Sequence, residues 1–145
     1  VTEVGKIETS ADPNAYRIKT TPDPYDAFKI AIGYRAGNFV FLSGQASIDE
    51  NGNLVGVGDF DKQVEQTFAN IKRALEAAGS SMEKIIKVNI YLTDMSNFPK
   101  IIEARGTHFK QPWPADTIVE VGALGLPELE IEIEVTALIE GEVIG

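Results

Sequence analysis

Residues 114–140 read PADTIVEVGALGLPELEIEIEVTALIE. Within them Leu129, Ile131, Ile133 and Val135 alternate at a strict period of two with Glu128, Glu130, Glu132 and Glu134. Successive side chains of a strand point to opposite faces, so residues 129–139 are predicted to form a strand with one apolar and one acidic face. A companion strand is expected over residues 117–121. The acidic row supports two readings. On one strand face Glu130, Glu132 and Glu134 stand about 7 Å apart, close enough to raise one another's pKa and prepare a general acid or base. Alternatively they are a solvated row of charge that keeps a strand edge from aggregating.

Working outward, residues 85–93 alternate Ile86, Val88, Ile90 and Leu92 against Lys87, Asn89, Tyr91 and Thr93, another strand. Phe60, Val64, Phe68, Ile71, Leu75 and Ala78 fall on one face of a helix that Asp59 opens as N-cap and Gly79 ends. Ser80-Ser81-Met82-Glu83 resembles a capping box before a short turn. Phe98, Ile101, Ile102, Arg105 and Phe109 mark a second helix, capped by Ser96 or Asn97, with Pro99 in its first turn. Residues 27–34 and 39–44 read as strands joined by a Gly37-Asn38 turn, and Asn51-Gly52 marks a small flap. The order is β-β-α-β-α-β-β. It predicts an α+β sandwich with both helices on one face of the sheet, covering the Leu129–Val135 side and leaving the glutamates to solvent or another subunit. Residues 1–26, polar and carrying Pro13, Pro22 and Pro24, read as an irregular arm, and residues 27–145 as one domain.

The composition narrows the function. With 145 residues and 43% hydrophobic content, the chain buries roughly 68–70% of its unfolded surface, enough to fold without a metal or disulfide. It has no cysteine, which removes thiol nucleophiles and thiolate metal sites and fits a reducing cytoplasm. No basic start leads into an apolar run, and no stretch reaches bilayer length, so neither signal peptide nor membrane span is expected. The net charge is −9, with 13 basic residues scattered among 22 acids. Nucleic acid is therefore a poor default partner.

The usual catalytic constellations are missing. His108 is the only histidine, which rules out a two-histidine metal site within one chain and reads as a surface or interface side chain. Ser43 lies in FLSGQ, which is not a nucleophile elbow. GVGD at residues 56–59 lacks the Lys-Ser/Thr of a phosphate-binding loop.

The blocks RAGNFVFLSGQ, LEAAG, IIKVNIYLTDMSNF and PADTIVEV…LPELEIEIEV occur in one order over residues 27–139. Together they resemble the RidA/YjgF family. The resemblance implies a chorismate-mutase-like α+β fold, assembled as a homotrimer with a central barrel and small-molecule clefts between subunits. It also implies hydrolysis of reactive imines and enamines to keto acids and ammonia, with no metal or organic cofactor. Two alternatives stand beside it: a small-molecule binding or regulatory trimer that has lost catalysis, and the endoribonuclease or translation-inhibitor role assigned to some relatives. Residue by residue, the family's SGQ serine matches Ser43, and its water-holding glutamate matches Glu132. The ligand-facing backbone position after Pro-Ala-Arg matches Ile118.

Three positions depart from the pattern. Asp116 stands where deaminase members carry the arginine that pairs with a substrate carboxylate. Ile30 and Ile102 replace the family's tyrosine and asparagine. These changes imply weak or absent iminoacid activity and a cleft suited to a neutral or cationic ligand. Arg105 either substitutes for the missing arginine or pairs with Asp116, the more ordinary outcome. Trp113 either roofs the cleft or packs a loop.

Overall fold

The alternating segment becomes the middle of the sheet. A computed structural model describes residues 12–145. Its seven strands are β1 (Ala15–Arg17), β2 (Gly33–Ala36), β3 (Phe39–Leu42), β4 (Gln45–Ala46), β5 (Ile85–Leu92), β6 (Ala115–Glu120) and β7 (Ile131–Leu138). Two α-helices, α1 (Phe60–Ala77) and α2 (Phe98–His108), precede β5 and β6. The sheet order is β1-β2-β3-β7-β5-β6, with β4 also paired to β7. Only β5 and β6 run parallel, with α2 as their crossover, so the sheet is mixed.

The period-two pattern works as expected. Leu129, Ile131, Ile133, Val135 and Ala137 are buried. Complete burial of such an aliphatic side chain is worth about 1.5–3 kcal/mol. The predicted face of α1, from Phe60 to Ala78, lies wholly in the same core. Asp59 Oδ1 accepts the Lys62 backbone N–H at 3.1 Å, the predicted cap. The expected order holds, with short strands β1 and β4 added.

Local competition changes four details. Residues 27–34 were expected to be a strand, but a 3-10 turn occupies Asp26–Phe28 and the strand begins at Gly33. Asp23 Oδ1 accepts the Tyr25 N–H, and the Tyr25 carbonyl accepts from both Phe28 and Ile30, so turn chemistry overrides the alternation. The irregular arm is partly ordered: Ala15–Arg17 pairs with β2, and Ile18 is buried, while residues 1–11 lie outside the described residues. A register shift between Ile85 and Lys87 puts Ile85, not Ile86, in the core. No capping box forms at Ser81, and Ser80 instead donates its hydroxyl to the Leu138 carbonyl at 2.6 Å.

Candidate active site

Glu132 is placed by register. It sits opposite Ala46 of β4 and Tyr91 of β5, and Ser43-Gly44 immediately precedes β4. A strand junction thus brings residues 88 positions apart in sequence to one spot, a hollow of about 200 Å3. Ile30, Ser43 and Glu132 line it together with Tyr25, Phe28 and Leu129. Gly44 is required by close approach: a Cβ there would collide with the Glu132 carboxylate. Ser43 donates its hydroxyl to the Ala31 carbonyl at 2.6 Å, which leaves its oxygen lone pairs as acceptors.

The acidic row is not uniform. Glu128 is exposed. Glu130 is tied to Gln63 of α1, whose amide oxygen accepts the Glu130 backbone N–H at 2.9 Å. Glu134 accepts from the Tyr91 hydroxyl at 2.7 Å and the Asn89 amide at 3.1 Å. Among the described residues, the half-buried Glu132 carboxylate has no hydrogen-bond partner. Burial pushes its pKa above the usual glutamate range, and the neighbouring Glu134 charge pushes it further. A carboxylate raised in this way holds a proton better than an ordinary glutamate and suits general-base work.

Tyr25 supports this corner and escaped the sequence reading. Its hydroxyl donates to the Gly44 carbonyl at 2.6 Å. Burial, then the Glu132 charge, raises its pKa above the normal phenol value. Ile30 lines this hollow, and the Asp23–Ile30 turn brings Tyr25 to it from five residues earlier. No periodicity signals this. Only the Pro24-Tyr25 turn signal hints at it.

Asp116, Ile118 and Ile102 gather elsewhere. They line a second hollow of about 620 Å3 with Phe98, Arg105 and Trp113, between α2 and β6. Asp116 and Ile118 are two residues apart on β6 and share a face. Ile101 and Ala104 turn the other side of α2 into the core, which leaves Phe98, Ile102 and Arg105 facing the hollow. Arg105 grips Asp116 in a bidentate pair, Nε to Oδ2 at 3.0 Å and Nη2 to Oδ1 at 2.9 Å. Its guanidinium also lies 5.6 Å from the Phe98 ring centre. The side chains of the pair are 25% and 17% exposed. Its loss is therefore expected to cost about 1–3 kcal/mol, between the surface and buried limits. Of the two roles open to Arg105, the structure shows pairing. Trp113 walls the hollow and is 54% exposed.

The remaining candidates are structural. His108 stacks on Phe68 with ring centres 4.0 Å apart, and its Nε2 meets Glu65 at 2.8 Å. Gly56 and Gly58 adopt positive φ in the turn that leads to Asp59. Among the described residues no cluster of three or more metal-ligating side chains occurs, and no helix is long and apolar enough to cross a membrane.

Comparison with known proteins agrees with the geometry. The model of the family described as endoribonuclease L-PSP matches residues 18–139. A RutC family protein of Pyrococcus horikoshii is 41% identical over 119 residues, covering 82% of this chain and 92% of its own. A 2-iminobutanoate/2-iminopropanoate deaminase of Dermatophagoides farinae is 33% identical, covering 82% and 91%. The crystal structure of RidA from an Antarctic Psychrobacter superimposes with a TM-score of 0.78 at 34% identity, covering 86% of this chain and 99% of the other.

Proposed function

Because this chain belongs to the RidA/YjgF family, we propose that it hydrolyses an imine or enamine to a carbonyl compound and ammonia. The observation that carries this reading is Glu132, half-buried, without a hydrogen-bond partner among the described residues and raised in pKa, in the hollow that Ser43 also lines. Glu132 takes a proton from water as the water oxygen attacks the C=N carbon. Glu132 passes that proton to the nitrogen to give the carbinolamine, then moves the hydroxyl proton to the same nitrogen as the C–N bond breaks, which leaves C=O and releases ammonia. Ser43 accepts a hydrogen bond from the water or the imine N–H. Deaminase relatives support the reaction class.

The preferred substrate differs from the 2-iminoacids. Asp116 presents negative charge where a substrate carboxylate would bind, and Arg105 is already occupied by Asp116. We further propose a homotrimer with a central barrel. In support, the sheet face away from the helices leaves Tyr34, Phe39, Phe41 and Val119 each more than 40% exposed. Each of the two hollows holds only part of the expected site residues, and a neighbouring subunit would complete them.

Ammonia release from a panel of imines, generated in place by an amino-acid oxidase or an amine oxidase, tests the chemistry. A protein that releases none would leave the second reading, a non-catalytic binding trimer, which the missing anchor arginine favours. Gain of iminoacid hydrolysis in Asp116→Arg would support the lost-anchor argument, and no gain in a variant that keeps its oligomeric state would count against it. The −9 charge and a His108 already engaged by Glu65 speak against RNA cleavage. Light scattering that gives three times the mass of one chain checks the assembly.

A further inference from the structure

The hollow between α2 and β6 has a definite chemical character. Phe98, Ile102, Phe109, Trp113, Pro114 and Ile118 give it apolar walls, and its volume of about 620 Å3 is that of a small-molecule pocket. Ile102 and Trp113 are each 54% exposed, so both shed water if an apolar body enters. Its charged groups are Arg105 and Asp116, locked on each other. Two donors of Arg105 are spent on the pair, and its face lies over Phe98. A carboxylate offers about four acceptor sites, of which Arg105 fills two. Three N–H donors of Arg105 and about two acceptor positions of Asp116 remain, but the pair is neutral overall and offers an anion no net positive charge. Within a chain of net charge −9 the free Asp116 lone pairs attract N–H donors, and an anion gains nothing from the neutralised pair.

We propose that this hollow binds a lipophilic molecule that carries N–H donors and no carboxylate, a neutral or cationic amine, imine or amide. Asp116 accepts the N–H, and Phe98, Ile102, Trp113 and Ile118 enclose the apolar body. The inference rests on reading the chain as one that acts on small C–N compounds, and it adds the class of molecule. Asp116 is then a specificity determinant in two senses. It supplies an acceptor, and it neutralises the charge of Arg105, the guanidinium that lines the hollow.

Trp113 is the only tryptophan, so its fluorescence reads this hollow directly. Three probes share one apolar body and differ in charge: cyclohexylmethylamine, cyclohexanecarboxamide and cyclohexanecarboxylate. The amine and the amide are expected to saturate the emission change at concentrations at least about tenfold below the carboxylate. Ile102→Ala is expected to weaken amine and amide alike. Asp116→Asn, which frees Arg105, is expected to bring the carboxylate level with the amine or ahead of it. The proposal is overturned if the native protein binds the carboxylate as tightly as the amine. It also fails if none of the three probes saturates, the result expected if a second chain already fills the hollow. Amine binding without ammonia release from any imine would sink the hydrolase reading and leave this one standing. Efficient hydrolysis confined to 2-iminoacids would do the reverse.

Discussion

Two acidic residues, Glu132 on β7 and Asp116 on β6, line two hollows on one sheet, and their surroundings drive them apart chemically. Glu132 is half-buried beside Glu134 and has no hydrogen-bond partner among the described residues, so its proton is held more tightly than in water. Asp116 has both oxygens on Arg105. The first arrangement prepares a group that exchanges protons, and the second prepares a fixed electrostatic surface. A carboxylate's role is set by its neighbours rather than by its presence in a cleft.

The largest expected effect that would break this contrast is loss of Glu132. Glu132→Gln keeps the shape and removes the base, so ammonia release is expected to fall about 10²-fold or more. The same change is expected to stabilise the fold at neutral pH. Because the folded protein raises the Glu132 pKa, it binds that proton more tightly than the unfolded chain does. Its contribution is favourable at acidic pH and is lost as pH rises from the ordinary glutamate value through the raised one. The thermal midpoint of Glu132→Gln should exceed the native one at pH 7, with the gap closing below about pH 4. A variant that lost activity and stability together at pH 7 would contradict this account of Glu132.

Gly44→Ala displaces the same carboxylate without removing it, since the added methyl meets the end of the Glu132 side chain. Turnover is expected to drop roughly tenfold while urea midpoints move little, because a flexible side chain absorbs the clash. Glu134→Gln sharpens the contrast further. It keeps an acceptor for Tyr91 and Asn89 but removes the repelling charge, so the acidic limb of the pH–rate profile should move to lower pH. An unmoved limb would assign the shift to burial alone. Far from both hollows, Asp59→Ala removes the cap of α1 and is expected to cost about 1 kcal/mol of stability, read by urea unfolding, with the pH profile unchanged.

Much of the fold was legible in short-range pattern. The face from Phe60 to Ala78 and the alternation from Leu129 to Val135 are each fixed by burial of one side of a regular element, and both survive intact. The failures lie where two local signals compete. At residues 27–34 an alternating run lost to an aspartate turn, and at Ile85–Lys87 a bulge moved the core position by one. The candidate positions Glu132, Ser43, Asp116 and Ile118 came from family resemblance, while Tyr25 and Gln63 did not. Both act through contacts to backbone far along the chain, at Gly44 and at Glu128 and Glu130, and such contacts leave no spacing to read.

By itself the sequence determined the strand and helix faces, the family and the presence of an acid at position 116. Those depend on residue identity and on period, which are local quantities. Only the tertiary structure decided which glutamate of the row is half-buried with no partner among the described residues, and whether Arg105 is free. Both answers depend on what β5, α1 and α2 place opposite these side chains. A carboxylate's proton affinity follows from burial and from charges and donors within a few ångströms, distances that the chain's linear order does not contain.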